Sequence, residues 1–344
     1  MNKFWIIFAG LTCIFISCDK DETENNISFS KGIFVVNQGV FQNGTGTITY
    51  RNESDNNLLQ DVFETKNEGK VLGNIAQSMI KFDNKYFIAV NNAAKIQVVN
   101  ASDFKSIGEI TIDLPRYFVT DGQKLYVSSW GNDYKSGVIH EINAVNLSIS
   151  PPIHVGNAPE TMLFSEDKLY ITVSSPYGLS SQTVAVIDTK TNKVVKSIQT
   201  GDSPVSIVKD INDDIWILCT GNYDPDPTKF TKGSLHRLSN DLKMNSFILS
   251  TGATGLITDS DGDRLYFLMD GKVMAHDIND QTFENESVYD GYFNCIHYQN
   301  STHRIFLGQG SFTAQGEVLF INPETQGTGR FATGIGPGFI YFSE

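Results

Sequence analysis

The sequence has few cationic residues, few cysteines and no run of charge that would suit a basic binding patch. Its 26 Lys and Arg residues stand against 39 Asp and Glu residues, which gives a formal net charge of −13. An acidic surface repels phosphate backbones and anionic lipid headgroups. This balance argues against nucleic-acid binding and against membrane binding through a basic patch.

Motifs for catalysis and metal binding are also missing from the sequence. It contains no Gly-x-Ser-x-Gly, no phosphate loop and no Cys-x-x-Cys, and its six histidines lack close metal-ligand spacing. The segment 259–263 resembles the start of a calcium loop, but it aligns with hairpin turns elsewhere in the chain. The sequence therefore predicts no metal, no cofactor and no enzymatic activity.

The first 17 residues are typical of a signal peptide. A short positive start at Met1-Asn2-Lys3 leads into the apolar run Phe4 to Ser17, which is too short to span a bilayer as a helix. The run ends at Phe15-Ile16-Ser17-Cys18, which resembles a bacterial lipobox. We predict cleavage after residue 17 and lipid attachment at Cys18. The alternatives are cleavage before Cys13 and an ordinary secretory signal in which Cys18 is incidental.

Residues 18–30 are predicted to form a flexible, lipidated tether, because the stretch as far as Asn26 is polar and a segment without apolar residues cannot form a core. The acidic run Asp19-Lys20-Asp21-Glu22 resembles the surface-export signal of some Gram-negative lipoproteins. We therefore expect an outer-membrane location, anchored by lipid only and facing the cell exterior. Two further cysteines, Cys219 and Cys295, lie in apolar runs, which predicts buried unpaired thiols.

One pattern recurs through residues 31–344: an apolar run, a tight polar turn rich in Asp, Asn or Gly, and a second apolar run with an aromatic residue. Such turns between apolar runs predict hairpins. The recurring aromatic positions are about 40–50 residues apart, the period of four-stranded propeller blades. These positions are Phe87, Tyr126, Tyr170, Trp216, Tyr266 and Phe306.

Phe34 belongs to a seventh unit, but no strand precedes it to form that unit's innermost strand. Residues 334–341 at the other end of the chain repeat the Gly-x-x-Pro pattern that leads into innermost strands elsewhere, as at Gly201-Asp202-Ser203-Pro204. The sequence thus predicts an all-β fold, a single seven-bladed β-propeller at residues 31–344. The C-terminal strand is expected to join the first blade and close the ring, which removes two unpaired edges.

The segment from Val186-Ile187-Asp188-Thr189 to Pro204 resembles the YncE-type seven-bladed propeller repeat, with its Ile-Asp-x-x-Thr turn. The N-terminal part, including Leu72-Gly73-Asn74-Ile75, is similar to lipid-anchored surface propellers, among them the BtuG-like cobalamin-capturing lipoproteins. The resemblance implies capture of a small molecule, with cobalamin or another corrinoid as the best candidate, and its transfer to a TonB-dependent outer-membrane transporter. A protein-binding scaffold and a propeller lyase or lactonase are the alternatives.

Five of the seven loops between second and third strands are long, and each carries an aromatic residue. Aromatic rings with amide and hydroxyl neighbours suit a broad ligand that has apolar faces and a polar edge. Each ring could instead pack on its own blade. The aromatic residues predicted to contact ligand are Trp130, Tyr134, Tyr177, Tyr223 and Phe312.

Polar residues at the start of the innermost strands supply further candidates near the central axis. The candidates there are Gln77, Arg116, Tyr117, Glu160, Tyr292 and Asn294, of which Gln77, Arg116, Tyr117 and Asn294 are the predicted ligand contacts. Arg116 stands where most other blades carry neutral residues, so it either contacts the ligand or forms a salt bridge within the channel. The sequence does not separate these two roles.

Replacing Cys18 with Ala tests the predicted anchor. The variant should move from the membrane fraction to the soluble fraction after cell lysis, because it has no thiol to carry the acyl chains. Replacement of Cys13 with Ala is the matched control and should leave partition unchanged. Unchanged partition of the Cys18 variant would contradict the prediction.

Overall fold

Apolar runs separated by short polar turns fold the chain into successive antiparallel hairpins. The computed structural model describes residues 28–42, 44–174, 181–224, 226–241, 243–280, 282 and 286–344. A clear case is the turn at Asp83-Asn84, whose residues have φ values of 47° and 57°. Two left-handed residues give the turn type whose twist matches that of the flanking strands, and Asn and Asp tolerate this conformation best.

The strands form seven sheets, which are the blades. Blade one contains β1 (Gly32–Asn37), β2 (Thr47–Arg51) and β3 (Leu58–Leu59), followed by the helix α1 (Val62–Lys66). Blade two contains β4 (Ala76–Phe82), β5 (Lys85–Val90), β6 (Lys95–Asn100) and β7 (Ser106–Thr111). Blade three contains β8 (Pro115–Thr120), β9 (Leu125–Ser129), β10 (Gly137–Asn143), β11 (Ser148–Ile149) and β12 (Ile153–Gly156).

The next four blades each have four strands. Blade four contains β13 (Pro159–Ser165), β14 (Lys168–Val173), β15 (Thr183–Asp188) and β16 (Lys193–Gln199). Blade five contains β17 (Pro204–Lys209), β18 (Ile215–Cys219), β19 (Ser234–Leu238) and β20 (Met244–Ile248). Blade six contains β21 (Ala253–Thr258), β22 (Arg264–Met269), β23 (Lys272–Asp277) and β24 (Glu286–Asp290). Blade seven contains β25 (Cys295–Gln299), β26 (Arg304–Gln309), β27 (Gln315–Ile321) and β28 (Thr328–Ile335).

The last strand, β29 (Pro337–Ser343), completes blade one. It pairs antiparallel with β1, in a register that runs from Gly32 opposite Ser343 to Asn37 opposite Pro337. Each innermost strand, β29 included, contacts the innermost strands of the two adjacent blades, so the ring is closed. The predicted seven-bladed propeller and its closure by the C-terminal strand are both confirmed.

The core is divided among the interfaces between blades. Successive residues of a strand point to opposite faces, so Tyr266 packs toward blade seven while Phe267 packs toward blade five. The same alternation at the other second strands gives one apolar cluster at every interface between adjacent blades. Cys219 and Cys295 lie in two of these clusters as free, buried thiols, as predicted.

The segment before β1 is fixed to blades one and two. Phe29 is fully buried, and its ring lies 4.9 Å from that of Tyr50. The Tyr86 hydroxyl donates to the Phe29 carbonyl oxygen over 2.6 Å. Phe29 therefore packs against the blades although it lies in the segment predicted as a tether, while residues 1–27, including Cys18, lie outside the described residues. In the part of the chain that the structure describes, no helix has the length and apolar character needed to span a membrane.

Removing β29 by truncation after Gly336 should prevent cooperative folding of the whole ring. The truncation exposes the edge of β1 and removes Ile340 from the cluster between blades seven and one. Truncation after Ser343, which removes only the exposed Glu344, is the control and should melt as the full chain does. Thermal unfolding followed by circular dichroism measures both. A cooperative transition at the same temperature in the shorter protein would disprove the proposed dependence on closure.

Candidate functional site at the loop end of the central channel

A β-bulge near the first residues of an innermost strand recurs in six of the seven blades. It follows Ala76, Pro115, Pro159 and Pro204 in blades two to five, and it recurs in β21 and opposite β29. A bulge breaks the alternation of side chains and redirects those beside it. Here the redirected residues lie at the loop end of the channel, next to the long loops between second and third strands.

The bulges of blades three and four bring together a buried ion pair, Arg116 with Glu160. The guanidinium Nε and Nη2 donate to the Glu160 carboxylate over 3.2 Å and 3.0 Å. The side chains are only 14% and 9% exposed, respectively. A two-pronged Arg–carboxylate contact of this kind fixes both groups in one geometry. Of the two roles open for Arg116, the structure has the salt bridge.

The ion pair continues into a network of neutral groups. The Arg116 Nη1 donates to the Gln77 Oε1 over 2.6 Å, and the Gln77 Nε2 donates to the Tyr117 hydroxyl oxygen over 3.1 Å. Burial raises the pKa of Tyr117, so its hydroxyl keeps its proton at neutral pH. The Tyr117 O–H is thus a donor fixed at the wall of the channel.

An aromatic pair covers the ion pair from the loop side. The Arg116 Cζ lies 4.0 Å from the centre of the Trp130 ring, and the Tyr134 ring stands edge-on to Trp130 with centres 5.7 Å apart. The Trp130 indole N–H is buried beside the Glu160 carboxylate. Burial raises the pKa of Glu160, while the Arg116 charge and the nearby Trp130 N–H oppose that rise.

Arg116, Tyr117 and Glu160 form one wall of a cavity of about 350 Å³ in the channel. The opposite wall is apolar and contains Leu256, Leu268 and Phe339. His297 also lines the cavity, with its ring 4.6 Å from that of Phe339, and neither of its nitrogens hydrogen-bonds to another described residue. Among the described residues, no group of three His, Cys, Asp or Glu side chains is placed to hold a metal ion.

The structure brings together only part of the predicted site. Gln77, Arg116, Tyr117 and Trp130 form one cluster, and Tyr134 packs on it. Asn294 lines the same cavity, with its Nδ2 bonded to the Gly310 carbonyl.

The other predicted aromatic residues lie elsewhere. Tyr223 lines a separate cavity between blades five and six, and Phe312 lies half-exposed beside Gly336. Tyr177 lies outside the described residues. The described aromatic residues therefore do not form the single ligand sandwich expected from the sequence.

His297 and Phe339 belong to the site but were not singled out in the sequence, whereas Glu160 is among the candidates near the axis. Glu160 follows Pro159 at a position equivalent to Arg116 after Pro115, and the two charges pair. His297 gives no such signal, because β25 is the one innermost strand without the bulge.

The fold and cavity define a seven-bladed propeller with a site of ligand size at the loop end of its channel. The chain belongs to the family described as "Domain of unknown function (DUF5074)", which matches residues 31–315. No curated protein matches the sequence.

Solved structures of several propellers are similar to this chain. A quinonprotein alcohol dehydrogenase-like protein of Bacteroides thetaiotaomicron is 13% identical, with a TM-score of 0.65, over 93% of this chain and 80% of that one. The periplasmic gluconolactonase of Pseudomonas aeruginosa is 12% identical, with a TM-score of 0.64, over 90% and 99%. A Bacteroides fragilis protein assigned as a 6-phosphogluconolactonase is 10% identical, with a TM-score of 0.64, over 92% and 98%.

These structures correct the prediction that the protein is not an enzyme. That prediction took the missing motifs as grounds to exclude catalysis, yet propellers of this fold include a gluconolactonase. At 10–13% identity the likeness carries the fold alone and names no activity for this chain.

The site should make stability depend on pH through His297. Burial lowers the pKa of His297 from 6.5 to about 4. Between these values the unfolded chain binds a proton that the folded protein does not, so stability falls as the pH falls from about 6.5 to about 4. The fall in melting temperature between pH 7 and pH 4.5 should be smaller in His297→Gln, because Gln does not titrate.

His154→Gln serves as the control, since His154 is exposed on β12. It should lose as much stability on acidification as the unmodified protein does. An equal loss in His297→Gln would show that His297 does not titrate as its burial requires.

Proposed function

We propose that the protein captures a small organic ligand at the loop end of its channel and passes it to a TonB-dependent transporter. The observation that carries the proposal is the channel cavity itself, in which a polar wall of Arg116, Tyr117 and Glu160 faces an apolar wall. The cavity volume, about 350 Å³, is also within the range of small-molecule pockets.

The charge distribution favours a neutral ligand that carries amides. Arg116 and Glu160 neutralise each other, and their donors and acceptors are largely used within the network. The remaining polar groups that line the cavity are neutral and include the Tyr117 O–H and the Asn294 amide. Such groups read dipoles, whereas a charged ligand would lose its hydration without gaining a free counter-charge.

A corrinoid is the ligand that we propose first, because its faces are apolar and its rim carries amides. The cavity lies at the small end of the range for ligand pockets, so a corrinoid would rest over the mouth. One peripheral amide would enter the cavity and accept from the Tyr117 O–H. The resemblance of residues 33–100 to the BtuG-like branch of YncE-type propellers supports this choice of ligand.

The route of the chain supports an outward-facing site. β1 runs from Gly32 toward the loop face, since the loop after Asn37 lies on that face. The preceding residues therefore approach from the opposite face, where the Lys81 Nζ donates to the Ser30 carbonyl over 2.8 Å. A lipid on Cys18 in the outer membrane would leave the loop face directed to the exterior.

A second candidate function is hydrolysis of a lactone. It is favoured by Glu160 and His297, which line the same cavity with opposite shifts: burial raises the pKa of Glu160 and lowers that of His297. Groups shifted in this way can act as general acid and general base near neutral pH. The gluconolactonase of similar fold supports the choice of substrate class.

Titration calorimetry of the full chain with cobalamin tests the first proposal. Trp130→Ala should weaken binding about tenfold or more, a loss of about 1.4 kcal/mol, because it removes the ring that packs on Arg116 and holds the polar wall of the cavity in place. Phe41→Ala is the control, since Phe41 is an exposed loop aromatic of blade one, and it should bind as the unmodified protein does. Absence of cobalamin binding, or equal affinity of the Trp130 variant, would contradict the proposed ligand site.

The same preparation with glucono-δ-lactone separates the two functions. Acid release above the spontaneous rate, lost in Glu160→Gln, would favour hydrolysis over capture. If the protein binds cobalamin but the lactone is hydrolysed only at the spontaneous rate, capture is the function that this cavity supports.

A further inference from the structure

A second cavity, of about 400 Å³, opens on the loop face between blades five and six. One side is the long loop of blade five, which contains Tyr223 and Phe230. The other side is the tight turn of blade six at residues 270–272 and the segment 291–293 that leads to blade seven. We call this cavity the blade five–six pocket. It shares only Thr254 and Leu268 with the channel cavity, so its ligand would contact a different set of side chains.

Aromatic rings at the pocket are unusually open to solvent. Tyr223 is 87% exposed and Tyr292 is 79% exposed, while Phe230 is 43% exposed. Exposed apolar surface that is concentrated at a concave site, with polar groups at its rim, marks a place for a partner or ligand. Tyr223 and Phe230 stand perpendicular, with an interplanar angle of 89° and centres 6.4 Å apart. They therefore present one ring face and one edge, not two parallel faces.

Tyr292 is held by a glycine beneath it. A Cβ at Gly271 would come within 2.8 Å of the Tyr292 ring, and Gly271 has a φ of +66°, which favours glycine. The absence of a side chain at Gly271 thus lets the ring rest against the turn of blade six. The rest of the ring remains open to solvent at the edge of the pocket.

Polar groups of both signs surround these rings. Asp270 and Lys272 are exposed on the blade six turn, and neither side chain forms a hydrogen bond or ion pair with another described residue. Asn222, Thr231 and Thr251 add amide and hydroxyl groups to the lining. The pocket has donors and acceptors in balance, so it favours a neutral ligand with many hydroxyl groups over a phosphate or a carboxylate.

We propose that the blade five–six pocket binds a neutral saccharide. A pyranose ring has an apolar face of C–H groups, which stacks on a single aromatic face such as that of Tyr292 or Tyr223. Its equatorial hydroxyls can donate to the Asp270 carboxylate and accept from the Lys272 ammonium group. A flat aromatic ligand would need two parallel rings, and the perpendicular arrangement of Tyr223 and Phe230 does not supply them. This site goes beyond the proposed capture of a ligand in the channel.

The test uses saturation-transfer NMR on the full chain in a sugar-free detergent. The probes are maltose, cellobiose, lactose and N-acetylglucosamine. At least one should receive saturation at its ring protons, and the double variant Tyr223→Ala/Tyr292→Ala should weaken its binding at least tenfold. Both side chains are largely exposed, so the variant should keep the melting temperature of the unmodified protein.

Two controls locate the binding. Phe41→Ala removes a loop aromatic that is 57% exposed but lies on blade one, and it should leave saccharide binding unchanged. Trp130→Ala alters the channel site and should also leave it unchanged, so failure of the channel proposal does not affect this test. The proposal is overturned if no probe receives saturation or if the double variant binds as tightly as the unmodified protein.

Discussion

The antiparallel pairing of β29 with β1 joins the two ends of the described chain in one sheet, and the ring and its site both depend on it. Without β29, blade one would lose its innermost strand, and the innermost strands of blades two and seven would lose the neighbour between them. The same strand contributes Phe339 to the channel cavity, where its ring contacts those of His297 and Tyr117. The strand that closes the ring therefore also forms part of the site.

Within that ring, burial of the Arg116–Glu160 pair costs desolvation free energy, which offsets the attraction between the two charges. Moving both charges out of water costs several kcal/mol per ion, and a well-packed apolar pair is often as stable. The pair is tolerable here because Gln77 and the face of Trp130 satisfy what remains of the guanidinium. The result is a wall without net charge whose hydroxyl donor lies on Tyr117, and this wall is the basis of the proposed choice of a neutral ligand.

The fold could be predicted from the sequence because each blade repeats the same short sequence patterns. Hairpin turns such as Asp83-Asn84 and the paired apolar residues such as Tyr266-Phe267 specify strands and interfaces without long-range information. Even closure left a trace, in the Gly-x-x-Pro pattern before β29. The site is less evident in the sequence, because a bulge changes the direction of side chains without changing the apolar pattern of the strand. His297 also lies on the one innermost strand without a bulge.

Loop length explains why the predicted aromatic residues lie in two separate places, Trp130 beside the channel wall and Tyr223 at the blade five–six pocket. The sequence indicates which loops are long, but a long loop creates a concave site only where its neighbour is short. Blade six turns within residues 270–272, so the long loop of blade five meets no loop of equal height there, and a pocket opens in which Tyr223 stands. Trp130, in contrast, follows a strand whose neighbour supplies Arg116, and the cation at 4.0 Å draws the ring toward the channel. The position of each ring thus depends on loop lengths and side chains in the adjacent blades, which the sequence of a single loop does not give.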